Sequence, residues 1–180
     1  MEKFNEYLTT GKLKTLERAK GDPVYLFPKI YGIGPKKAKQ LVAAGITTLD
    51  ELRARQDELL NKNQKLGLKY FEDIEKRIPR AEINEYQDVL ADVFSKLKHT
   101  GSRFEIVGSY RRGAANSGDI DIILTNDQND SSIFNKFIKA LQDRGIIIEI
   151  LTKGKTKSMA IGKLPGQTPR RIDFMYASPA

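Results

Sequence analysis

Apolar residues recur along this chain first at helical and then at strand spacing. Residues 2–8 read as a short helix. After a Thr9-Thr10-Gly11 break, Leu13 and Leu16 give an apolar face to a basic helix over 12–20, closed by Gly21-Asp22-Pro23. Pro35 suits the first turn of the next helix, whose stripe is Ala38, Leu41 and Val42. Thr48 with Glu51 three residues on predicts a capping box at another helix start, and a further helix is expected from Leu66 to Arg77. Ile78-Pro79-Arg80 breaks the pattern. Beyond it Ile83, Tyr86, Leu90, Val93, Phe94 and Leu97 line one face of a long helix, and Ile133, Phe134, Phe137, Ile138 and Leu141 line a second. Strands are expected over 104–107, 119–125, 146–151, 158–164 and 169–176. The change of period predicts an α+β chain with an all-helical unit over 11–79, a mixed α+β unit over 80–180 and a leading remnant over 1–10.

Composition narrows the function classes. The 180 residues carry a net charge of +8, with 39% hydrophobic and 30% charged residues. Residues 1–80 hold 17 basic and 11 acidic side chains, residues 81–180 hold 14 and 12, so the excess lies in the helical part and favours a polyanionic partner. The absence of cysteine excludes disulfide and thiolate chemistry. Neither a secretory h-region nor a stretch of transmembrane length is present, and an intracellular protein is expected. The single histidine, His99, reads as a solvated loop residue.

The candidate chemistry lies at 108–121. Asp119 and Asp121 flank Ile120 at the start of a strand, so they share a face while Ile120 and Ile122 point to the other. Like charges so close repel unless a cation neutralises them, and paired carboxylates suit Mg²⁺ bound together with substrate phosphates. Gly108 and Ser109 end the preceding strand, where backbone amides and a hydroxyl can cradle a phosphate, and Arg111 and Arg112 add guanidinium donors. Taken singly, each piece also fits a solvated strand edge or ordinary surface charge. Together, Gly-Ser followed after nine residues by Asp-Ile-Asp-Ile resembles the signature of the nucleotidyltransferase superfamily.

Gly32-Ile33-Gly34-Pro35-Lys36-Lys37 is a tight turn leading into a helix whose first turn is crowded with lysines. Cations there oppose the helix dipole, a local cost that an incoming anion would relieve. The stretch resembles the helix-hairpin-helix motif, a sequence-nonspecific binder of the DNA backbone. The resemblance makes Gly32, Gly34, Lys36 and Lys37 the phosphate contacts. It makes the carbonyls of Pro28, Ile30 and Ile33 the ligands of a monovalent cation, Na⁺ or K⁺. An ordinary helical hairpin with a glycine turn is the alternative reading.

Gly-Lys-Leu at 11–13, Gly-Ile-Gly-Pro at 32–35, Leu-Gly-Leu-Lys-Tyr-Phe at 66–71, Glu-Lys-Arg-Ile-Pro-Arg at 75–80, Gly-Ser-Tyr-Arg-Arg-Gly-Ala at 108–114, Ser-Gly-Asp-Ile-Asp at 117–121 and Arg-Arg-Ile-Asp at 170–173 together resemble the X family of DNA polymerases, its beta-type members most of all. The resemblance covers essentially the whole chain. It implies a helix-hairpin-helix subdomain over 11–79 and, over 80–180, a nucleotidyltransferase-type palm with a mixed β-sheet and two packed helices. It assigns Asp119, Asp121 and Asp173 as the catalytic carboxylates holding two Mg²⁺ ions, for which Mn²⁺ can substitute, with Asp173 helping to deprotonate a primer 3′-hydroxyl. Gly108, Ser109, Arg112, Ser117 and Gly118 match the residues that grip the triphosphate. The implied activity is DNA-directed DNA synthesis of the gap-filling repair type from dNTP on gapped or primer-template duplex DNA, by a nuclear monomer without membrane association. Lys3 falls at the family's Schiff-base lysine, but an amine so near the terminus is solvated and no lyase activity is expected. The family continues past residue 180 into a subdomain that closes on the nascent base pair, so the chain is expected to be a piece of a larger polymerase with little activity alone. The alternatives are a non-catalytic fragment that binds duplex DNA and metal-nucleotide, and a template-independent nucleotidyltransferase.

Overall fold

The structure, a computed structural model, describes residues 22–179. The helices expected over 2–8 and 12–20, the remnant over 1–10 and Lys3 lie outside the described residues. The chain divides into two compact units at Phe71/Glu72.

The described part of the first unit is helical. Helix α1 (Pro23–Leu26) is capped by the Asp22 carboxylate, which accepts from the Val24 amide at 3.0 Å, and runs into a 3₁₀ turn over Phe27–Lys29. A turn at 30–34 follows, with Gly32 at φ +88°, a conformation that favours glycine. Helix α2 (Pro35–Ala43) comes next, then α3 (Leu49–Ala54), α4 (Gln56–Leu59), α5 (Lys62–Lys69) and α6 (Phe71–Glu75) at the junction. Phe27, Ile30, Ile33, Ala38, Leu41, Ile46, Leu52 and Leu68 form a small core.

Two expectations are corrected here. The Thr48 hydroxyl accepts from the Glu51 amide as a capping box requires, but the Glu51 carboxylate returns to the Thr47 amide instead, at 3.2 Å. The helix expected from Leu66 to Arg77 starts four residues earlier, because Asn61 and Gln64 form a complete reciprocal capping box. It also breaks at Tyr70, giving α5 and α6 in place of one helix.

The second unit begins its regular structure with a two-residue strand, β1 (Ile78–Pro79). The sequence showed only a chain break there. β1 pairs antiparallel with β3 (Asn116–Ser117). The Arg80 amide extends this pairing by donating to the Ala115 carbonyl at 3.0 Å. The long helix α7 (Arg80–Lys96) buries Ile83, Tyr86, Leu90 and Val93 on one face. Strands β2 (Ser102–Val107), β4 (Ile120–Asn126), β5 (Ile147–Lys153), β6 (Lys157–Gly162) and β7 (Arg170–Tyr176) form a mixed sheet in the order β2-β4-β7-β6-β5, with helix α8 (Ser132–Asp143) between β4 and β5 in sequence. Only β4 and β7 run parallel.

Strand alternation sorts the sheet's faces. Ile120, Ile122, Leu124, Ile172, Phe174 and Tyr176 are buried in one core with residues of α7 and α8, including Phe134, Phe137 and Leu141. Phe137 meets Phe94 and Phe174 edge-on, with ring centroids 5.3 and 6.1 Å apart. Each such buried side chain contributes about 1.5–3 kcal/mol, so this layer anchors the unit. Asp121 and Asp173 fall on the alternate positions, where the two strands are left to carry chemistry. His99 is not the solvated residue expected. Its ring lies within 2.5 Å of the Ser102 hydroxyl and 3.3 Å of Asp130, with its side chain 17% exposed. No helix among the described residues is long and apolar enough to cross a membrane.

Candidate active site

Three carboxylates meet at one end of the sheet. Asp121 and Asp173 are register partners across the parallel β4–β7 ladder, and Asp119 precedes β4 by one residue. One oxygen from each lies within 4.8 Å of the others, and all three residues are half-buried. Burial, reinforced by the charge of Asp173, raises the pKa of Asp119, against the pull of Arg171 and Arg77. Burial also raises that of Asp121, followed by the charges of Asp119 and Asp173. Carboxylates held together in this way carry an electrostatic cost that a hard divalent cation relieves, since such ions take oxygen ligands. The donor set fits one.

Around them lie the groups expected from the sequence to meet a phosphate. Gly108 turns at φ +72°, and a Cβ there would lie 2.7 Å from Asp121 Oδ2, so the backbone abuts the carboxylate. The Ser109 hydroxyl donates to the buried Ser117 hydroxyl at 2.5 Å, joining two of the residues expected to grip phosphate. The loop between them is closed by Ala114 and Gly113 amides donating to Ser109 and Tyr110 carbonyls, and Arg80 braces it with hydrogen bonds to the Tyr110 and Ala114 carbonyls. Arg112 is exposed and its charge is felt by Asp121. Arg111 instead pairs with Glu105 at 3.3 Å. A hollow of about 220 Å³ opens beside the carboxylates, lined by Val107, Gly108, Ile123, Lys157 and Met175 as well as Asp121 and Asp173.

Two arginines were assigned no role from the sequence. Arg171 donates to both oxygens of Asp173, at 3.2 and 3.0 Å. Strand alternation puts residues 171 and 173 on one face, so this was readable. Arg77 donates Nε to Asn116 Oδ1 at 2.9 Å, and a Cβ at Gly118 would lie 3.1 Å from its Nη1. Nothing in local spacing links residues 77 and 118.

The first unit brings its own candidates together. Gly34 is the N-cap of α2, and Lys36 and Lys37 sit in its first turn, where amides lack a helical partner. Gln64 fixes the turn by donating to the Gly32 carbonyl at 2.9 Å, and α5 approaches so closely that any Cβ at Gly67 would collide with the Tyr31 carbonyl. Of the carbonyls expected to hold a monovalent cation, that of Ile30 already accepts from the Ile33 amide at 3.1 Å. Those of Pro28 and Ile33 lie in the same turn region.

Comparison with known proteins places the chain's two parts. Residues 77–179 match the family model described as DNA polymerase beta palm, and residues 25–75 match the fingers domain of DNA polymerase lambda. The chain is 36% identical to DNA polymerase lambda of Arabidopsis thaliana over 95% of its length and 30% identical to that of Rattus norvegicus over 97%. It is 28% identical to DNA-directed DNA/RNA polymerase mu of Homo sapiens over 79%. These matches cover 35%, 32% and 30% of the relatives, so the chain spans about a third of their length.

Proposed function

Because this chain belongs to the X family of DNA polymerases, we propose that it takes part in gap-filling DNA synthesis, transferring a nucleotide from dNTP to a primer 3′-hydroxyl. The observation that carries the reading is the convergence of Asp119, Asp121 and Asp173. Mg²⁺ is the ion the carboxylates would hold, and bound there it would neutralise charge on the transferring phosphoryl group and on the entering and leaving oxygens. Arg112, Arg77 and the amides around Gly108 and Gly118 would bind the triphosphate oxygens. Arginine forks suit phosphate geometry. Ser109 and Ser117 would hold the loop to shape through their mutual hydrogen bond. Arg171 orients Asp173 through both of its oxygens, which directs the carboxylate that would accept the proton of the 3′-hydroxyl.

The helical unit would bind the duplex through its backbone at Gly32, Gly34, Lys36 and Lys37, as a helix-hairpin-helix does, with Na⁺ or K⁺ at the turn. Base-excision repair in the nucleus is the setting that gap filling implies. The test is nucleotide incorporation on DNA with a one-nucleotide gap, in Mg²⁺ and in Mn²⁺. A chain supplied with the family's remaining subdomains should extend the primer and lose extension on Asp121→Ala. Extension that survives Asp121→Ala would overturn the reading.

A further inference from the structure

We propose that the buried Glu82–Arg170 pair is a positioning device for the anion-binding side of the site: it fixes Arg77 and the Asn116–Gly118 segment against the strand that carries Asp173. This rests on the nucleotide reading given above. Arg170 opens β7, and its side chain is 7% exposed against 11% for Glu82. Its guanidinium donors go to Glu82 and to two neighbouring carbonyls. Nε and Nη2 meet the two oxygens of Glu82 at 2.5 and 3.1 Å, a bidentate fork, while Nη1 donates to the Arg77 carbonyl at 3.1 Å and more weakly to that of Lys76 at 3.5 Å.

A buried ion pair of this kind is weak evidence for stability, because desolvation offsets much of the attraction. What the fork does provide is direction, since its planar geometry fixes the carbonyl it meets. Arg77 is then held from three sides. Its carbonyl is on Arg170, the next residue pairs with Ser117 through β1–β3, and its own guanidinium is on Asn116. That delivers a cation beside Gly118, at the edge of the carboxylates. Two of the three carboxylates are set independently of this clamp. Asp121 and Asp173 are set by the β4–β7 ladder over Ile120–Leu124. The clamp therefore acts on one side of the site, and its effect is separable: nucleotide affinity should fall while the bare metal site persists.

The experiment uses the whole 180-residue chain, with Mn²⁺ binding followed by electron paramagnetic resonance, alone and with dATP. The variants are Glu82→Gln, Arg170→Lys and Arg77→Ala, each checked by circular dichroism and thermal melting. Glu82→Gln and Arg170→Lys should bind Mn²⁺ within about twofold of the parent and weaken dATP binding about tenfold. Adding Arg77→Ala to either should cost little more, because the changes act through one residue. Variants that bind dATP like the parent, or losses that add in full to that of Arg77→Ala, overturn the clamp. If Arg170→Lys does not fold, Glu82→Gln, which keeps the shape and one acceptor oxygen, decides alone. A parent that binds Mn²⁺ but no dATP overturns the nucleotide reading itself, and this inference with it.

Discussion

Gly108 has no room for a side chain. Its φ of +72° disfavours any L residue, at about 1–2 kcal/mol, and a methyl group would press on the Asp121 carboxylate. Gly108→Ala should therefore lower the melting temperature by a few degrees, since about 1 kcal/mol corresponds to roughly 2–4 °C at this size, and should weaken Mn²⁺ binding at least about tenfold. An unchanged Mn²⁺ affinity would show that Asp121 can move aside. The neighbouring carboxylates predict the opposite sign for stability. Burial and the charge of Asp173 both work against ionised Asp119, so Asp119→Asn should raise the melting temperature in chelator. It should also remove the rise that Mg²⁺ gives the parent. Calorimetry with and without Mg²⁺ separates the two effects. The pairing of Asp119 with Asp121 was legible because strand alternation is a local rule. The reach of Arg77 to Gly118 was not, because it is made by a two-residue strand pairing across 39 positions, and no periodicity records so short a ladder.

The elements were read well wherever one face had to be buried. Ile83, Tyr86, Leu90 and Val93 marked α7, and Ile133, Phe134, Phe137, Ile138 and Leu141 marked α8. The reading slipped where side chains, not hydrophobic spacing, set the boundaries. Asn61 and Gln64 start α5, and the polar knot of His99, Ser102, Asn126 and Asp130 secures the entry to α8. In that knot the Asp130 carboxylate accepts from the Ser132 amide at 3.0 Å. Its pKa is lowered by hydrogen bonds from Ser132, with His99 helping. A depressed carboxylate pKa adds stability that is in place above the unfolded value, about 3.9, and is lost as pH falls through the lower folded one. Asp130→Asn should therefore flatten the acid limb of a stability–pH curve and change little near neutrality. A parallel pair of curves would show that the Asp130 hydrogen bonds carry no charge effect.

Over the whole molecule, charge is distributed by task. The basic excess is concentrated in residues 1–80, the part containing the turn at 30–34 and α2, while the acidic cluster lies in the sheet unit. Duplex binding should then be sequence-independent and salt-sensitive, with Lys36→Glu plus Lys37→Glu weakening it on every sequence alike. Each phosphate contact removed should also flatten the plot of log affinity against log salt by about 0.9. A double variant that binds as tightly, with the same salt slope, would leave the hairpin a purely structural turn. The sheet unit adds a constraint of a different kind. β7 comes last of the described strands in sequence yet lies between β4 and β6, so a chain leaving the ribosome holds both of those edges unpaired until residue 176 is free. Exposed edges invite association with other chains, which places the hazard in the interval before β7 joins the sheet. Asp121 meets Asp173 only when β7 slots in, so a copy in which β7 has not docked lacks the three-carboxylate cluster.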